Sequence, residues 1–136
     1  MMKRENTTQK GRIAEDHAAS WLEAHGLKVI DRNWRHNHLE LDIIAFGPRL
    51  SPQGQVLDGH QEFIHIIEVR SRAENSPVSP QQTIMKNKQK FLVNAADAYV
   101  RLNRYHEEVI FDVIGIETRE SGYVLTFTPD AFHPQW

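Results

Sequence analysis

Two short β-type runs constrain the fold of this chain more than any other feature, because each is apolar and yet carries acids. The first run is Leu39–Phe46 and the second is Phe63–Arg70. Asp42 lies inside the first run, and Glu68 lies near the end of the second. An unpaired charge is costly to bury, so carboxylates in such strands need a partner. The runs therefore predict neighbouring strands whose acids converge on a metal ion or a phosphate group.

The length and composition are those of one globular domain. The chain has 136 residues, and we expect residues 1–8 to be a flexible N-terminal tail and residues 9–136 to form the domain. No run of about 18 or more apolar residues occurs, so we expect no membrane span. The polar N-terminus lacks the apolar stretch of a signal peptide. The absence of cysteine excludes disulfides and thiolate metal sites and suits a cytoplasmic protein.

The charges are unevenly distributed along the chain. The formal net charge of −2 argues mildly against an obligate nucleic-acid binder. However, seven basic and two acidic residues lie between Arg70 and Arg104, whereas six acids and the single base Arg119 follow from Tyr105 onward. The basic segment would suit a polyanion, or it is an ordinary solvated helix face, and charge alone leaves both interpretations open.

Apolar periodicity predicts a helix followed by three strands in the first half of the chain. The helix runs from Thr7 or Thr8 to His25. Strands follow at residues 27–34, at residues 39–46 and from Glu62 to Arg70 or Ser71. Glycines and prolines between residues 47 and 60 indicate a long, mobile hairpin loop.

A second helix and a final hairpin complete the expected order. Ser79 and Pro80 give a helix start signal, and the helix runs to about Asn103. Strands at residues 109–117 and 123–128 form the hairpin, and a tail anchored by Phe132 and Trp136 ends the chain. The αβββαββ order predicts an α/β fold with a mixed sheet flanked by helices.

Strand alternation places the candidate side chains on shared faces. Glu40 and Asp42 point the same way, as do Glu68 and Arg70. If the two strands pair, both sets converge at one end of the sheet, and Glu15 of the first helix closes the group. Such oxygen ligands suit Mg²⁺, and Arg70 would clamp a phosphate with its planar guanidinium. A simple strand-end ion pair between Glu68 and Arg70 is the alternative.

Lys88 lies on the apolar face of the second helix, between Ile84 and Phe91. A lysine at such a position extends outward to solvent, or it is aimed at a buried anion.

Several short motifs occur in a specific order along the chain. They are Gly11-Arg12-Ile13-Ala14-Glu15, Arg32-Asn33-Trp34-Arg35, Glu40-Leu41-Asp42-Ile43-Ile44, the run 63–72, Lys88-Gln89-Lys90-Phe91-Leu92, Phe111-Asp112-Val113 and Asp130-Ala131-Phe132. With this order and spacing, the chain from about Gly11 onward resembles the YraN family of bacterial predicted endonucleases. The resemblance implies a restriction-endonuclease-like fold of the PD-(D/E)xK superfamily, so that residues 9–136 would be one nuclease-like domain.

The resemblance also implies roles for individual residues. Asp42 and Glu68 would be the ligands of Mg²⁺ or Mn²⁺, with Glu15 and Glu40 near them. Arg70 stands where the motif has lysine, and a guanidinium cannot act as a general base. Lys88 would then supply the missing ammonium group. We expect nucleic-acid contacts from four further bases, Arg35, Arg72, Lys86 and Lys90. A second departure is Asn37-His38-Leu39, where relatives often carry glycines before this strand.

The leading hypothesis is a metal-dependent endonuclease that hydrolyses phosphodiester bonds of DNA, including branched or single-stranded forms. The alternative is a nucleic-acid-binding domain of the same fold that has lost catalysis. A third interpretation is a partner-binding domain, which a separation of more than about 10 Å between Glu40, Asp42 and Glu68 would favour, since shared metal ligation needs short distances. His36 and His38 are weaker candidates for a transition-metal site. The resemblance also admits a homodimer.

Overall fold

The computed structural model describes residues 2–73 and 85–134. Its elements in chain order are α1 (Met2–Ala24), β1 (Lys28–His36), β2 (Leu39–Leu50), β3 (Val56–Ala73), α2 (Lys86–Leu102), β4 (Val109–Arg119) and β5 (Gly122–Thr128). The expected α/β class and the αβββαββ order are therefore confirmed, and the fold is consistent with a restriction-endonuclease-like architecture.

The five strands form one mixed sheet in the order β1-β2-β3-β4-β5. Neighbours are antiparallel except β3 and β4, which are parallel because α2 crosses over between them. One helix covers each face of this sheet. The core of the α1 face includes Ala14, Ala18, Leu22, Ile43 and Ile67, and the core of the α2 face includes Ile44, Ile66, Leu92, Ala95 and Tyr99.

Strands β2 and β3 separate partway along the sheet. Their antiparallel pairing ends where Ile43 lies opposite Ile67. Beyond that point β2 continues beside β1 to Leu39, while β3 continues beside β4 to Ala73. The sheet therefore splits between its second and third strands, and we call this opening the strand split.

The prediction of a long mobile loop over residues 47–60 is wrong. Strand β2 extends to Leu50 and β3 starts at Val56, so only a five-residue turn joins them. Ser51 closes this turn because its Oγ accepts the backbone N–H of Gln53 and Gln55 at 3.2 and 3.1 Å. Pro48 is tolerated within the strand because the ladder shifts register there.

The turn also packs against the end of α1. Gly54 has a φ of +85°, and a Cβ on it would collide with the His25 ring. A glycine is therefore required at this position for both conformational and steric reasons. At the other end of β2, Asn37 takes a φ of 57°, a left-handed conformation that asparagine adopts more readily than most other residues with a side chain.

The helix ends differ from the sequence prediction. Helix α1 begins at Met2, earlier than the expected Thr7 or Thr8. The start signal at Ser79 and Pro80 lies outside the described residues. Met85, just before α2, and Leu102, its last residue, are 76% and 57% exposed. Neither described helix has the length and hydropathy that a membrane crossing requires.

The C-terminal segment is held by β4. The Phe132 ring stacks on Phe111 with centroids 4.7 Å apart, and the Ala131 N–H donates to the Phe111 carbonyl at 2.7 Å. Phe132 therefore anchors the tail as expected, whereas Trp136 lies outside the described residues.

A buried polar pair fixes the other end of the β2–β3 hairpin. His65 Nδ1 lies 2.7 Å from Asp112 Oδ2, and its Nε2 lies 3.1 and 3.0 Å from the carbonyl oxygens of Gly47 and Pro48. The Asp130 N–H donates to Asp112 Oδ1 at 2.8 Å. Because Nε2 must donate to the carbonyls, one further proton is held between Nδ1 and Asp112. The pair thus connects β2, β3, β4 and the C-terminal segment.

Replacing Asp112 by alanine should destabilise the protein by about 3–5 kcal/mol, because it leaves His65 and the Asp130 N–H buried without their acceptor. Chemical denaturation measures this free energy of unfolding. Asp97→Ala is the matched control, since Asp97 forms an exposed ion pair with Arg101 and its removal should cost less than about 1 kcal/mol. Equal losses in the two variants would contradict the structural role of Asp112.

Candidate active site

Asp42 and Glu68 lie at the mouth of the strand split, each one residue beyond the last paired position of its strand. Asp42 Oδ2 accepts the backbone N–H of Val69 at 2.9 Å. This bond replaces the ladder partner that β2 no longer provides to β3. The carboxyl groups of Asp42 and Glu68 also lie within hydrogen-bonding reach of each other. The split therefore brings together the two acids that the sequence placed on separate strands.

Glu68 is held in an environment that opposes its negative charge. Its side chain is only 14% exposed. Burial, followed by the charge of Asp42, raises the pKa of Glu68 from 4.5 to about 7, although Lys88 and Arg70 act in the opposite direction. Its Oε2 atom is buried without a hydrogen-bond partner. The site would therefore gain from a cation placed between the two carboxylates.

Glu15 approaches the same region from α1. Its side chain is 13% exposed, and its Oε1 atom is also buried without a hydrogen-bond partner. Burial is the main cause that raises the pKa of Glu15, and the charge of Asp42 adds to it. A hydrogen bond from Asn33 and the charge of Arg32 lower that pKa in part. Three acids from α1, β2 and β3 therefore border the strand split.

Two bases complete the group on the α2 face. Lys88 Nζ lies 3.6 Å from Glu68 Oε2 and 5.2 Å from the centroid of the Phe91 ring. Lys88 thus reaches a buried anion, as one of the two sequence interpretations predicts. A cavity of about 190 Å³ is lined by Glu68, Arg70, Lys88 and Met85. This cavity offers room for a small anionic group beside the carboxylates.

Glu40 does not join the acids but forms an ion pair with Arg35, 3.5 Å apart, in which both side chains are exposed. The expectation that Glu40 and Asp42 share a face assumed regular alternation. That alternation is interrupted here, because Leu41 packs in the α2-face core while Ile43, two residues on, packs in the α1-face core. The strand turns where it leaves β3, and Glu40 is directed to solvent.

The other expected nucleic-acid contacts are on or near the surface. Arg72 donates to Glu117 Oε1, and Arg119 binds the other oxygen of Glu117 at 2.8 Å, so Arg72 belongs to an ion network at the end of β3. Lys86 and Lys90 are exposed on α2, one on each side of Lys88 in sequence. These lysines extend the positive charge around the site along α2.

Within the described ranges, no three histidine, aspartate or glutamate side chains are arranged to hold a metal ion. His36 stacks on Trp34 with centroids 6.0 Å apart. Asp42 and Glu68 nevertheless form a two-carboxylate group in which Glu68 Oε2 accepts no hydrogen bond. Such a group fits Mg²⁺, which takes one or two carboxylates and completes its shell with waters and substrate phosphates.

Sequence reasoning assigned no role to Arg32 and Asn33, which the structure places beside Glu15. Arg32 Nη2 lies 3.8 Å from Glu15 Oε1 and 2.7 Å from Asp16 Oδ1. Asn33 takes a φ of 53° within β1, a conformation in which asparagine is enriched. The Arg32-Asn33-Trp34-Arg35 motif was the available signal, but it did not show that these side chains face α1.

Glu68→Gln should stabilise the metal-free protein at pH 8 but change it little at pH 5. A raised carboxyl pKa means that stability is lost as the pH rises from about 4.5 to about 7. Because glutamine does not ionise, Glu68→Gln avoids this loss in the free energy of unfolding, which is of the order of 3 kcal/mol. Thermal unfolding at both pH values in a chelating buffer measures the effect. Glu40→Gln, on an exposed acid, is the control, and an equal gain there would contradict the assignment.

Comparison with known proteins places this fold and site in a family. The model of "Uncharacterised protein family UPF0102" matches residues 14–116. A UPF0102 protein from Parabacteroides distasonis is 33% identical over 123 residues, covering 90% of this chain and 91% of its own. Others come from Clostridium perfringens, with 34% identity over 90% and 92% of the two chains, and Chlorobium chlorochromatii, with 32% identity over 93% of each. The resemblance to the YraN family is thereby confirmed, and the chain belongs to UPF0102.

Proposed function

We propose that this protein is a Mg²⁺- or Mn²⁺-dependent nuclease that hydrolyses phosphodiester bonds of DNA. The observation that carries the proposal is the pair of carboxylates at the strand split. Asp42 is positioned there by the Val69 N–H, and Glu68 is buried beside it with an oxygen that accepts no hydrogen bond and with a raised pKa. Perturbed acids beside a cavity and two bases are typical of catalytic sites.

Asp42 and Glu68 are the residues that would hold the metal. When bound, Mg²⁺ supplies an activated water and neutralises charge that develops on the phosphate. The two carboxylates need that positive charge, because Lys88 is half exposed and offsets their repulsion only in part. Glu15 lies at the rim, where its carboxylate would orient a water through a hydrogen bond.

The two bases have distinct roles in this proposal. Arg70 would bind the non-bridging oxygens of the phosphate, because its planar guanidinium donates two parallel hydrogen bonds. Lys88 would orient Glu68 and donate to the phosphate from the α2 side. In the reaction a water oxygen bonds to phosphorus, one phosphorus–oxygen ester bond breaks, and the departing oxygen takes up a proton. The products are a phosphate monoester and a hydroxyl end.

A second candidate function is DNA binding without cleavage, which Arg70 in the lysine position of the motif favours. A partner-binding domain with dispersed acids has less support, because Asp42 and Glu68 are within hydrogen-bonding reach. Calorimetric titration with Mn²⁺ distinguishes the first two functions. A nuclease should bind Mn²⁺ and lose that binding in Asp42→Asn. Salt-sensitive DNA binding without Mn²⁺ binding would instead identify a binding domain.

The direct test is cleavage of labelled DNA in Mg²⁺ or Mn²⁺ by the parent and its variants. Asp42→Asn and Glu68→Gln should each lower the rate by about 100-fold or more, because each removes a metal ligand worth several kcal/mol in the transition state. Glu40→Gln, purified in the same way, should cleave like the parent. Equal rates in Asp42→Asn and the parent would show that the nuclease activity does not come from this site.

A further inference from the structure

A second cavity lies next to the candidate site, between α1 and the ends of β3 and β4. Its volume is about 380 Å³, near the lower end of the range for small-ligand pockets. We call it the α1 groove. The residues on which the inference depends are Ile13 and His17 of α1, Ser71 and Ala73 of β3, and Ile116 and Thr118 of β4. The same two elements, α1 and β3, also carry Glu15 and Glu68, so the groove lies beside the elements that border the strand split.

Backbone donors run along one margin of this groove. Val69 directs its N–H toward the side that β2 has left, where Asp42 accepts it. Because backbone groups alternate along a strand, Ser71 and Ala73 direct their N–H groups to that same side. In the described residues β3 pairs only with β4 beyond Ile67, and both Ser71 and Ala73 are exposed. Two backbone donors therefore face the split next to the acids.

The interior of the groove is suited to a flat, apolar group. Ile13 is 54% exposed although it is a large apolar residue, and Ile116 forms the floor from β4. The His17 ring stacks on Tyr123 with centroids 3.7 Å apart, which gives an aromatic platform at one wall. Ser71 adds a hydroxyl group that can hydrogen-bond a base edge, and the Thr118 hydroxyl, which donates to the Arg72 carbonyl, can still accept a hydrogen bond.

We infer that the α1 groove holds an unpaired nucleotide of the DNA strand whose phosphate lies at Asp42 and Glu68. The inference rests on the proposed function, because it needs a phosphate at that site. Ser71 is three residues beyond Glu68, about 10 Å along the strand. The N–H groups of Ser71 and Ala73 bind the next phosphates, and the base packs against Ile13 and His17.

This placement defines the class of substrate. A base inside the groove has left its stack and its partner, so the preferred substrate is single-stranded DNA or a duplex with an unpaired end or flap. A peptide strand added to the same edge is the competing occupant. It is disfavoured because the described open edge spans only Val69 to Ala73, and Asp42 already occupies its first donor.

Fluorescence anisotropy with labelled oligonucleotides in a low-salt EDTA buffer tests the inference. The probes are a blunt duplex and the same duplex with a short single-stranded flap. The parent should bind the flapped probe more tightly. Ile13→Glu should weaken that binding about tenfold, because stacking contributes about 1–3 kcal/mol per base, and leave blunt-duplex binding unchanged. Leu57→Glu, at an apolar residue 63% exposed in the first part of β3, should bind both probes like the parent.

Ile13→Ala is a milder second variant that should lower flap affinity in the same direction without adding charge. Equal affinity of the parent for both probes, or flap binding unchanged in both Ile13 variants, would overturn the inference. Complete absence of DNA binding would also overturn the inference. A peptide strand would then be the favoured occupant of the open β3 edge.

Parallel cleavage assays separate this inference from the proposed function. If blunt duplex is cleaved efficiently and Ile13→Glu does not change the rate, the proposed nuclease function is supported. The inference that the α1 groove binds the substrate is then rejected. If flap binding depends on Ile13 but no metal-dependent cleavage occurs, the α1 groove is supported as a DNA-binding site. The proposed nuclease function is then rejected.

Discussion

The hydrogen bond between Asp42 and the Val69 N–H is the interaction on which the candidate site depends. It lies where β2 and β3 stop pairing, and it satisfies a backbone donor that would otherwise face the opening. The rest of the sheet keeps the two strands apart, since β1 holds β2 and β4 holds β3. A carboxylate that terminates a ladder in this way is fixed in position without being surrounded by donors, and it remains accessible to a ligand.

The acids around the split are destabilising in the absence of a cation. Burial raises the pKa of both Glu15 and Glu68, and one oxygen of each has no hydrogen-bond partner. The surrounding bases compensate in part, through Arg32 on the α1 side and Lys88 on the α2 side. An unfavourable free energy of this kind is expected at functional sites, where residues that bind a ligand lower the stability of the fold. At the opposite end of the hairpin, the fully hydrogen-bonded pair of His65 and Asp112 is a stabilising counterpart.

Periodicity was sufficient to predict the helices, strands and their order, because each element buries one continuous apolar face. Predictions from local sequence patterns were wrong where tertiary packing imposed a different backbone path. The glycines and prolines of residues 47–60 suggested a loop, yet the ladder bends through Pro48 and the turn is tied by Ser51. Strand alternation predicted that Glu40 accompanies Asp42, but the strand turns between them and Glu40 pairs with Arg35.

The sequence by itself determined the α/β class and the family, since apolar runs that carry carboxylates admit few structures. It also supplied Asp42, Glu68 and Glu15 as candidate acids, but it wrongly placed Glu40 with them. Only the tertiary structure decided how those acids meet. Asp42 and Glu68 are 26 residues apart along the chain, and they converge because β2 and β3 separate at Ile43 and Ile67. Lys88 reaches Glu68 from a third element. Such convergence depends on register and on the separation of strands, which are set by long-range packing and which no local pattern encodes.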